Sequence, residues 1–251
     1  MATNFWNNCL VAYFINLDEI AYLLVSATEL ELRQELLEAA RRLNRSGLNQ
    51  GTSGNLSARI SGGLLITPSS LPYEQMQPAD LVAIDFSGKP LVAEAQLRRP
   101  SSEWRLHADI LAKRSELMAV VHCHSIHATA LACHGRSIPS FHYMVVMAGG
   151  SSIRCAPYET FGTQQLSEVT LKALEQRSAC LLAHHGQVTV GCSLDQALGL
   201  AVEVETLAHM FLQALQLGEP PVLGEEEMER VREQMAGLHY GGRNWEKDQT
   251  R

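Results

Sequence analysis

Two short apolar segments, each followed directly by histidine, most constrain how this chain can fold. They are Ala-Val-Val at 119–121, followed by His122-Cys-His124, and Ala-Cys-Leu-Leu-Ala at 179–183, followed by His184-His185. Continuous apolar runs of this length are typical of buried strands. Side chains at i and i+2 of a strand point to the same face, so His122 and His124 are predicted to lie side by side at a strand end. Two strands that both end in histidine indicate a metal site.

A structural role for these histidines is the alternative interpretation. The chain contains 10 histidines, and a lone histidine beside an apolar segment is more often a hydrogen-bonded core residue. Catalytic zinc usually has three protein ligands of nitrogen, sulfur or oxygen type and one open position. A metal site here therefore calls for an oxygen donor as well, and Glu103 is the candidate.

Length, composition and net charge restrict the classes of protein to which this chain can belong. The chain has 251 residues, of which 46% are hydrophobic and 19% charged, and these are the values of a globular protein with a full core. The net charge of -7 argues against non-specific binding to nucleic acid. The 6 cysteines form no C-x-x-C pair, so we expect reduced thiols in a cytoplasmic protein.

The N-terminal segment 1–27 is predicted to be an extension of the main domain. Residues 13–25 are apolar, but Asp18 and Glu19 interrupt them, so the segment is too short and too charged to span a bilayer. No Lys or Arg precedes Arg33, unlike in a signal peptide. We expect an extra helix or a loose extension at 1–27, a domain at 28–242, a tail at 243–251 and no membrane partner.

The remaining patterns predict helices and strands that alternate irregularly. Thr28 and Glu31 form a capping box that opens a helix ending near Gly47, and Ser193 and Gln196 form a second one. Further helices are predicted at 125–135, 163–177, 194–217 and 225–236, and further strands at 56–60, 64–66 and 81–86. No repeat or linker divides the chain. The sequence therefore predicts a single α/β domain with a mixed or largely antiparallel central sheet flanked by helices.

Three loops share a composition rich in glycine and hydroxyl groups. They are Thr52-Ser53-Gly54-Asn55, Ser69-Ser70 and Ser101-Ser102. Backbone amides at a helix start, together with serine hydroxyls, suit a phosphate group. No loop has Walker or Rossmann spacing, so nucleotide binding is not indicated. Each loop alone is compatible with ordinary turn chemistry, and the phosphate interpretation requires all three to converge.

Glu103 follows the third loop. Ser101 and Ser102 are predicted to cap a helix that runs to about Arg114, with Glu103 in its first turn. A carboxylate beside two phosphate-binding serines is well placed for acid–base chemistry. The alternative is that Glu103 only complements the helix dipole, which favours acidic residues at helix starts.

Eight motifs together resemble the class II aldolase and adducin family. They are GLNQGTSGN at 47–55, ITP at 66–68, PSSEWR at 100–105, HCH at 122–124, SIP at 137–139, IRCAPY at 153–158, FG at 161–162 and HHG at 184–186. The resemblance implies one Zn²⁺ per subunit, held by Glu103, His122, His124 and His185, with His184 in a supporting position. It implies a phosphate site at Gly54, Asn55, Ser69, Ser70, Ser101 and Ser102. Ser69-Ser70 departs from the family, which more often has Thr-Gly there.

The same resemblance implies a reaction. A ketose 1-phosphate similar to L-fuculose 1-phosphate would be cleaved to dihydroxyacetone phosphate and a small aldehyde such as L-lactaldehyde. Glu103 would shuttle a proton, and Tyr143 would reach in from a neighbouring subunit to protonate the aldehyde side. Tyr240 matches a C-terminal tyrosine of the site, although its spacing here is longer. The family commonly forms homotetramers with sites between subunits, and we expect the same.

Three other activities on this fold remain open. Ribulose-phosphate 4-epimerases typically carry aspartate where this chain has Glu103. Methylthioribulose-1-phosphate dehydratases resemble the HCH motif locally, whereas residues 138–143 and 155–158 are closer to the aldolases. Adducin-like binding modules have lost the metal ligands, all four of which are present here. Metal content and the identity of the products separate these possibilities.

Overall fold

The computed structural model describes residues 17–91 and 98–238, and only the backbone of residues 17–27. The predicted site residue Tyr240 lies outside this range. The strands are β1 Asn55–Ile60, β2 Gly63–Ile66, β3 Val82–Asp85, β4 Ala119–Cys123, β5 Ile138–Pro139, β6 Ser152–Ala156, β7 Ala179–Leu182 and β8 Gly186–Gly191. The α-helices are α1 Leu17–Arg45, α2 Trp104–Lys113, α3 Ile126–Cys133, α4 Gln164–Ala173, α5 Leu194–Leu215 and α6 Glu225–Gly237. Short 3₁₀ helices span Pro78–Asp80 and Tyr143–Ala148.

The strands form one 8-stranded sheet in the order β3-β2-β1-β4-β8-β7-β6-β5. Every neighbouring pair is antiparallel except β6 and β7, which run parallel. The hairpins β1–β2 and β7–β8 connect strands that are adjacent in the sequence, as short connections favour. The predicted mixed, largely antiparallel sheet in a single domain is confirmed.

Both faces of the sheet are covered, because alternate residues of each strand enter different cores. Leu65 and Val121 pack with α1 and α5 on one face, while Leu64 and Val120 pack with α2 and α4 on the other. Helices α3 and α6 extend the first face. This period-2 alternation fixes the strand register, since a slip by one residue would exchange the two faces.

The first helix differs from the prediction. It begins at Leu17 rather than at Thr28, and it is the longest helix in the described part of the chain, with 29 residues. Residues 17–27 contain neither Gly nor Pro and are mostly helix-favouring residues, so nothing stops the helix before Thr28. The capping-box pattern therefore lies inside a continuous helix, where the backbone N–H groups that a cap would satisfy already have partners.

Helix α5 is long and apolar enough to cross a membrane by length and composition. Its apolar side is buried against β4, β8 and α3, and Phe211 and Val204 are fully inaccessible to solvent. Burial in the core thus accounts for its composition.

The predicted N-terminal cap of α5 is confirmed, because the Ser193 hydroxyl accepts a hydrogen bond from the backbone N–H of Gln196 at 3.1 Å.

The described cysteines agree with the expectation of reduced thiols. Those at 123, 133, 155, 180 and 192 are all free. Burial raises the pKa of Cys123 to about 12, so this thiol stays protonated although it lies between two site histidines in the sequence.

Candidate active site

Three histidines converge at one end of the central strands β4 and β8. His122 is the penultimate residue of β4, His124 directly follows that strand, and His185 lies in the turn between β7 and β8. Because β4 and β8 are antiparallel neighbours, the C-terminal end of β4 meets the start of β8. One nitrogen from each of the three rings lies within 4.8 Å of the other two, and the Nε2 atoms of His122 and His124 are 3.1 Å apart.

His122 turns Nε2 toward the other site residues and Nδ1 toward the backbone. Nδ1 of His122 lies 2.9 Å from the carbonyl oxygen of Gln187. A carbonyl can only accept, so Nδ1 carries a proton and Nε2 is the nitrogen that is left to face a metal. Burial alone would lower the pKa of His122, but the neighbouring Glu103 carboxylate outweighs it and raises that pKa above its ordinary value. Burial, together with the neighbouring His122, lowers the pKa of His124 and of His185 to about 4, so both rings are neutral near pH 7. Such an arrangement, with the second nitrogen held by a backbone carbonyl, is typical of metal-binding histidines.

Glu103 completes the cluster from the other side. It occupies the N-cap position of α2 rather than the first turn, and its carboxylate makes no capping bond because it is turned into the site. Oε2 lies 3.2 Å from Nε2 of His122, and Oε1 lies 3.2 Å from Nε2 of His185. Burial alone would raise the pKa of Glu103, but the two imidazoles and the amide of Asn55 outweigh it and keep the pKa below its ordinary value. The carboxylate is therefore ionised.

The donor set fits a divalent metal. Three imidazoles and one carboxylate are ligand types that zinc prefers. Among the described residues, Oε1 of Glu103 is a buried oxygen without a hydrogen-bond partner, and Glu103 is only 4% exposed. A buried anionic oxygen without a donor is costly unless a cation satisfies it.

The three predicted phosphate loops also converge. They line one open cleft of about 360 Å³ that borders the histidine cluster, together with Glu103, His124 and His185. Loop 68–70 meets loop 99–101 through paired backbone bonds: Ser101 N–H donates to the Thr67 carbonyl and Ser69 N–H donates to the Arg99 carbonyl, both at 3.0 Å. The convergence that the phosphate interpretation requires is present.

Asn55 differs from the other predicted phosphate residues. Its side-chain Nδ2 donates to Glu103 Oε2 at 2.9 Å, and its Oδ1 accepts from His107 at 2.5 Å. A phosphate contact from this side chain would require it to leave Glu103. The sequence interpretation missed His107. The sequence does contain one signal for it: His107 lies four residues after Glu103, a spacing that places two side chains on the same face of a helix.

Glycines allow the close approach of strands at this site. A Cβ on Gly186 would lie 2.5 Å from the carbonyl oxygen of Cys123 and 2.9 Å from the His124 ring. A Cβ on Gly54 would lie 2.8 Å from the carbonyl oxygen of His122. Real Cβ atoms do not approach so closely, so only glycine lets β1, β4 and β8 come together here.

The outer rim of the cleft is aromatic. Tyr158 and Phe161 line it and remain 57% and 62% exposed, and the Tyr158 ring meets the His184 ring edge-on at a centroid distance of 5.9 Å.

Tyr143 is not among the described residues that line the cleft of its own chain, and it is 46% exposed at the start of the second 3₁₀ helix. A role for Tyr143 therefore depends on a neighbouring subunit and remains a prediction.

Comparisons with known proteins identify the family to which the chain belongs. The family described as "Class II Aldolase and Adducin N-terminal domain" matches residues 34–212. A 5-methylthioribulose-1-phosphate/5-deoxyribulose-1-phosphate aldolase of Rhodospirillum rubrum is 52% identical over 206 residues, covering 82% of this chain and 91% of the relative. An L-fuculose phosphate aldolase of Escherichia coli strain K12 is 46% identical over 204 residues, covering 81% and 93%. A solved L-fuculose 1-phosphate aldolase superposes with a TM-score of 0.78 at 36% identity, covering 82% of this chain and 96% of the other. The chain is therefore an aldehyde-lyase that belongs to the class II aldolase and adducin family.

Proposed function

We propose that the chain is a Zn²⁺-dependent aldolase that cleaves a ketose 1-phosphate to dihydroxyacetone phosphate and a small aldehyde. One observation carries the proposal: three imidazoles and the buried Glu103 carboxylate meet at the inner end of a cleft lined by three hydroxyl-rich loops. The relatives are named for phosphorylated ketoses that differ on the aldehyde side. L-Fuculose 1-phosphate, 5-deoxyribulose 1-phosphate and 5-methylthioribulose 1-phosphate are accordingly the substrates to compare.

The loops orient the substrate. Ser69, Ser70, Ser102 and Gly54 line one cleft, and serine hydroxyls with backbone N–H groups are donors that suit a phosphate dianion. With the phosphate held there, the rest of the sugar extends toward Glu103 and the histidines. The aromatic rim at Tyr158 and Phe161 is left for the part of the sugar that becomes the aldehyde.

The chemistry requires one proton to change place. When bound, the metal supplies a Lewis acid that polarises the ketose carbonyl and stabilises the negative charge that develops as the carbon–carbon bond breaks. The hydroxyl on the carbon that becomes the aldehyde loses a proton, and the carbon that stays with the phosphate gains one. Glu103, ionised at the start, takes up the first proton and delivers it to that carbon, so a single proton is shuttled. Tyr143 of the partner subunit donates its hydroxyl hydrogen to the oxygen on the aldehyde side. A cyclic homotetramer with sites between subunits would supply that tyrosine.

The test is a product assay on purified protein. Each of the three ketose 1-phosphates is incubated with and without a chelator, and dihydroxyacetone phosphate is measured. We expect product from at least one substrate, loss of product with chelator and recovery when Zn²⁺ is restored. Formation of an epimer or a dehydrated sugar instead of dihydroxyacetone phosphate would favour the 4-epimerase or dehydratase alternatives and contradict the aldolase proposal.

Glu103→Gln tests the proton-transfer role separately. The amide keeps the shape of the side chain but cannot carry the proton, so we expect kcat to fall by about 100-fold or more, as general acid–base groups contribute 10² to 10⁴. Binding of inorganic phosphate, measured by calorimetry, should change little. Glu116→Gln is the matched control, because that carboxylate is 62% exposed and pairs with Arg114 at the surface. Wild-type turnover by Glu103→Gln would contradict the assignment.

A further inference from the structure

Glu103 is the end of a buried chain of hydrogen bonds that leads away from the cleft. Ser57 Oγ lies 2.7 Å from His107 Nδ1, His107 Nε2 lies 2.5 Å from Asn55 Oδ1, and Asn55 Nδ2 lies 2.9 Å from Glu103 Oε2. Ser57 and His107 are fully buried, and Asn55 and Glu103 are 3% and 4% exposed. These hydrogen bonds join α2 to β1, which lies about fifty residues earlier in the sequence.

Only one direction of donation is possible while Glu103 is ionised. A carboxylate accepts and cannot donate, so the NH₂ group of Asn55 must face it and the carbonyl oxygen must face His107. His107 Nε2 then has to carry the proton, and Nδ1 accepts from the Ser57 hydroxyl. Burial lowers the pKa of His107 to about 3, so the ring is neutral and has only one N–H to give. Each of the three hydrogen bonds then has one donor and one acceptor.

We infer that His107 is a positioning residue that locks the Asn55 amide against Glu103, so that Oε2 is held by a hydrogen bond and Oε1 is left free, to bind the metal before the reaction and to carry the proton during it. The inference rests on the proposed role of Glu103. It is supported by the asymmetry of the carboxylate: Oε2 accepts from Asn55, whereas Oε1 is buried and has no hydrogen-bond partner among the described residues. Without the His107 N–H, the Asn55 amide could turn and present its oxygen to Glu103.

A purely structural role is the competing explanation. A histidine in the apolar core between α2 and the sheet must lose its hydration, and an aliphatic residue of similar size would pack there without that cost. The apolar core between α2 and the sheet includes Leu106, Ile110 and Val120, all buried. A packing role therefore predicts that Leu is tolerated at 107, whereas a positioning role predicts that the hydrogen bonds matter more than the volume.

The variants His107→Leu and His107→Gln separate the two explanations. Gln can donate to Asn55 and accept from Ser57, whereas Leu fills the space and does neither. We expect His107→Leu to lower kcat and Zn²⁺ affinity about 10- to 100-fold each, as supporting partners of metal ligands typically do, with KM changed far less. His107→Gln should recover most of both. Affinity is measured by competition with a chromogenic chelator, which needs no turnover.

The wild-type enzyme provides a test that does not depend on any variant. Nitrogen-15 NMR of histidine-labelled protein distinguishes a protonated from an unprotonated ring nitrogen, and His107 should carry its proton on Nε2 with Nδ1 bare. A proton on Nδ1 overturns the proposal. So does a His107→Leu enzyme that keeps wild-type kcat and Zn²⁺ affinity, or a His107→Gln enzyme as impaired as His107→Leu at equal unfolding temperature. If no ketose phosphate is cleaved, the proposed function fails, but the affinity and NMR results still decide whether His107 orients the site.

Discussion

At the scale of single residues, the adjacent histidines 184 and 185 are expected to have different roles. His185 directs Nε2 toward Glu103, whereas His184 has a positive φ of 55° and meets Tyr158 at the rim. We predict that His185→Ala weakens Zn²⁺ binding by more than the roughly 10- to 100-fold expected for a supporting residue. His184→Asn is the matched control, because Asn tolerates a left-handed backbone, and it should keep near-normal affinity. Equal losses in the two variants would contradict the assignment of His185 as the ligand.

His107 also predicts how stability depends on pH. Its pKa is about 3 in the folded protein against 6.5 for the free side chain, so the unfolded state binds more protons between these values. The resulting stabilisation is complete above pH 6.5 and is lost as the pH falls toward 3, by up to about 1.4 kcal/mol per pH unit for one such group.

The measurement is urea denaturation of the metal-free protein at several pH values from 7 to 5. His124 and His185 contribute in the same direction, because burial lowers their pKa as well. The comparison with His107→Gln isolates one residue, and the variant should lose stability less steeply below pH 6.5. Parallel curves for the two proteins would show that His107 titrates normally.

At the scale of elements, two glycines are expected to respond in opposite ways to alanine. A Cβ on Gly186 would meet backbone at 2.5 Å where β8 begins, whereas nothing lies within 4 Å of a Cβ on Gly199 in α5. We predict that Gly186→Ala destabilises by about 1–3 kcal/mol through overpacking and weakens metal binding, because His124 must move. Gly199→Ala should stabilise by up to about 1 kcal/mol, since Ala favours a helix. Thermal denaturation gives both values; a neutral Gly186→Ala would contradict the close approach of β4 and β8.

The elements also show what the sequence could and could not predict. The hairpin at β1–β2 and the N-terminal starts of α3, α4 and α5 follow from local turn and cap signals and agree with the structure. The start of α1 does not, because a capping-box pattern cannot by itself show that the helix continues upstream. His107 was missed since its partners Asn55 and Ser57 lie on a distant strand, and only tertiary packing joins them.

At the scale of the whole molecule, the order of the strands brings the site residues together. The C-terminal end of β4 lies between the start of β1 and the start of β8, so Asn55 pairs directly with His122 and Gln187 with Cys123. This puts the phosphate loop before β1 beside the histidines. The individual histidines were predictable from strand-end patterns, but their convergence depends on an order in which β8 and β1 flank β4. Nothing local in the sequence encodes that order; the resemblance to the family supplied the set of ligands but not the strand order.

One part of the proposed site is absent from a single chain. Glu103 lies in the cleft of its own subunit, whereas Tyr143 is 46% exposed and is not among the described residues that line that cleft. If Tyr143 acts across a subunit boundary, each active site combines Glu103 of one chain with the tyrosine of its neighbour. Two variants that are each inactive can then restore one another when their subunits mix.

We predict such complementation between Glu103→Gln and Tyr143→Phe. In a closed ring with head-to-tail contacts, random mixing in equal amounts places both wild-type residues at roughly a quarter of the sites. Activity should therefore rise from near zero in each homo-oligomer toward that fraction after the subunits are co-expressed or dissociated and reassembled. Glu103→Gln mixed with Glu103→Ala is the control and should stay inactive, because no mixture of these chains contains an intact site. If the first mixture also stays inactive although mass spectrometry shows mixed oligomers, Tyr143 does not act between subunits.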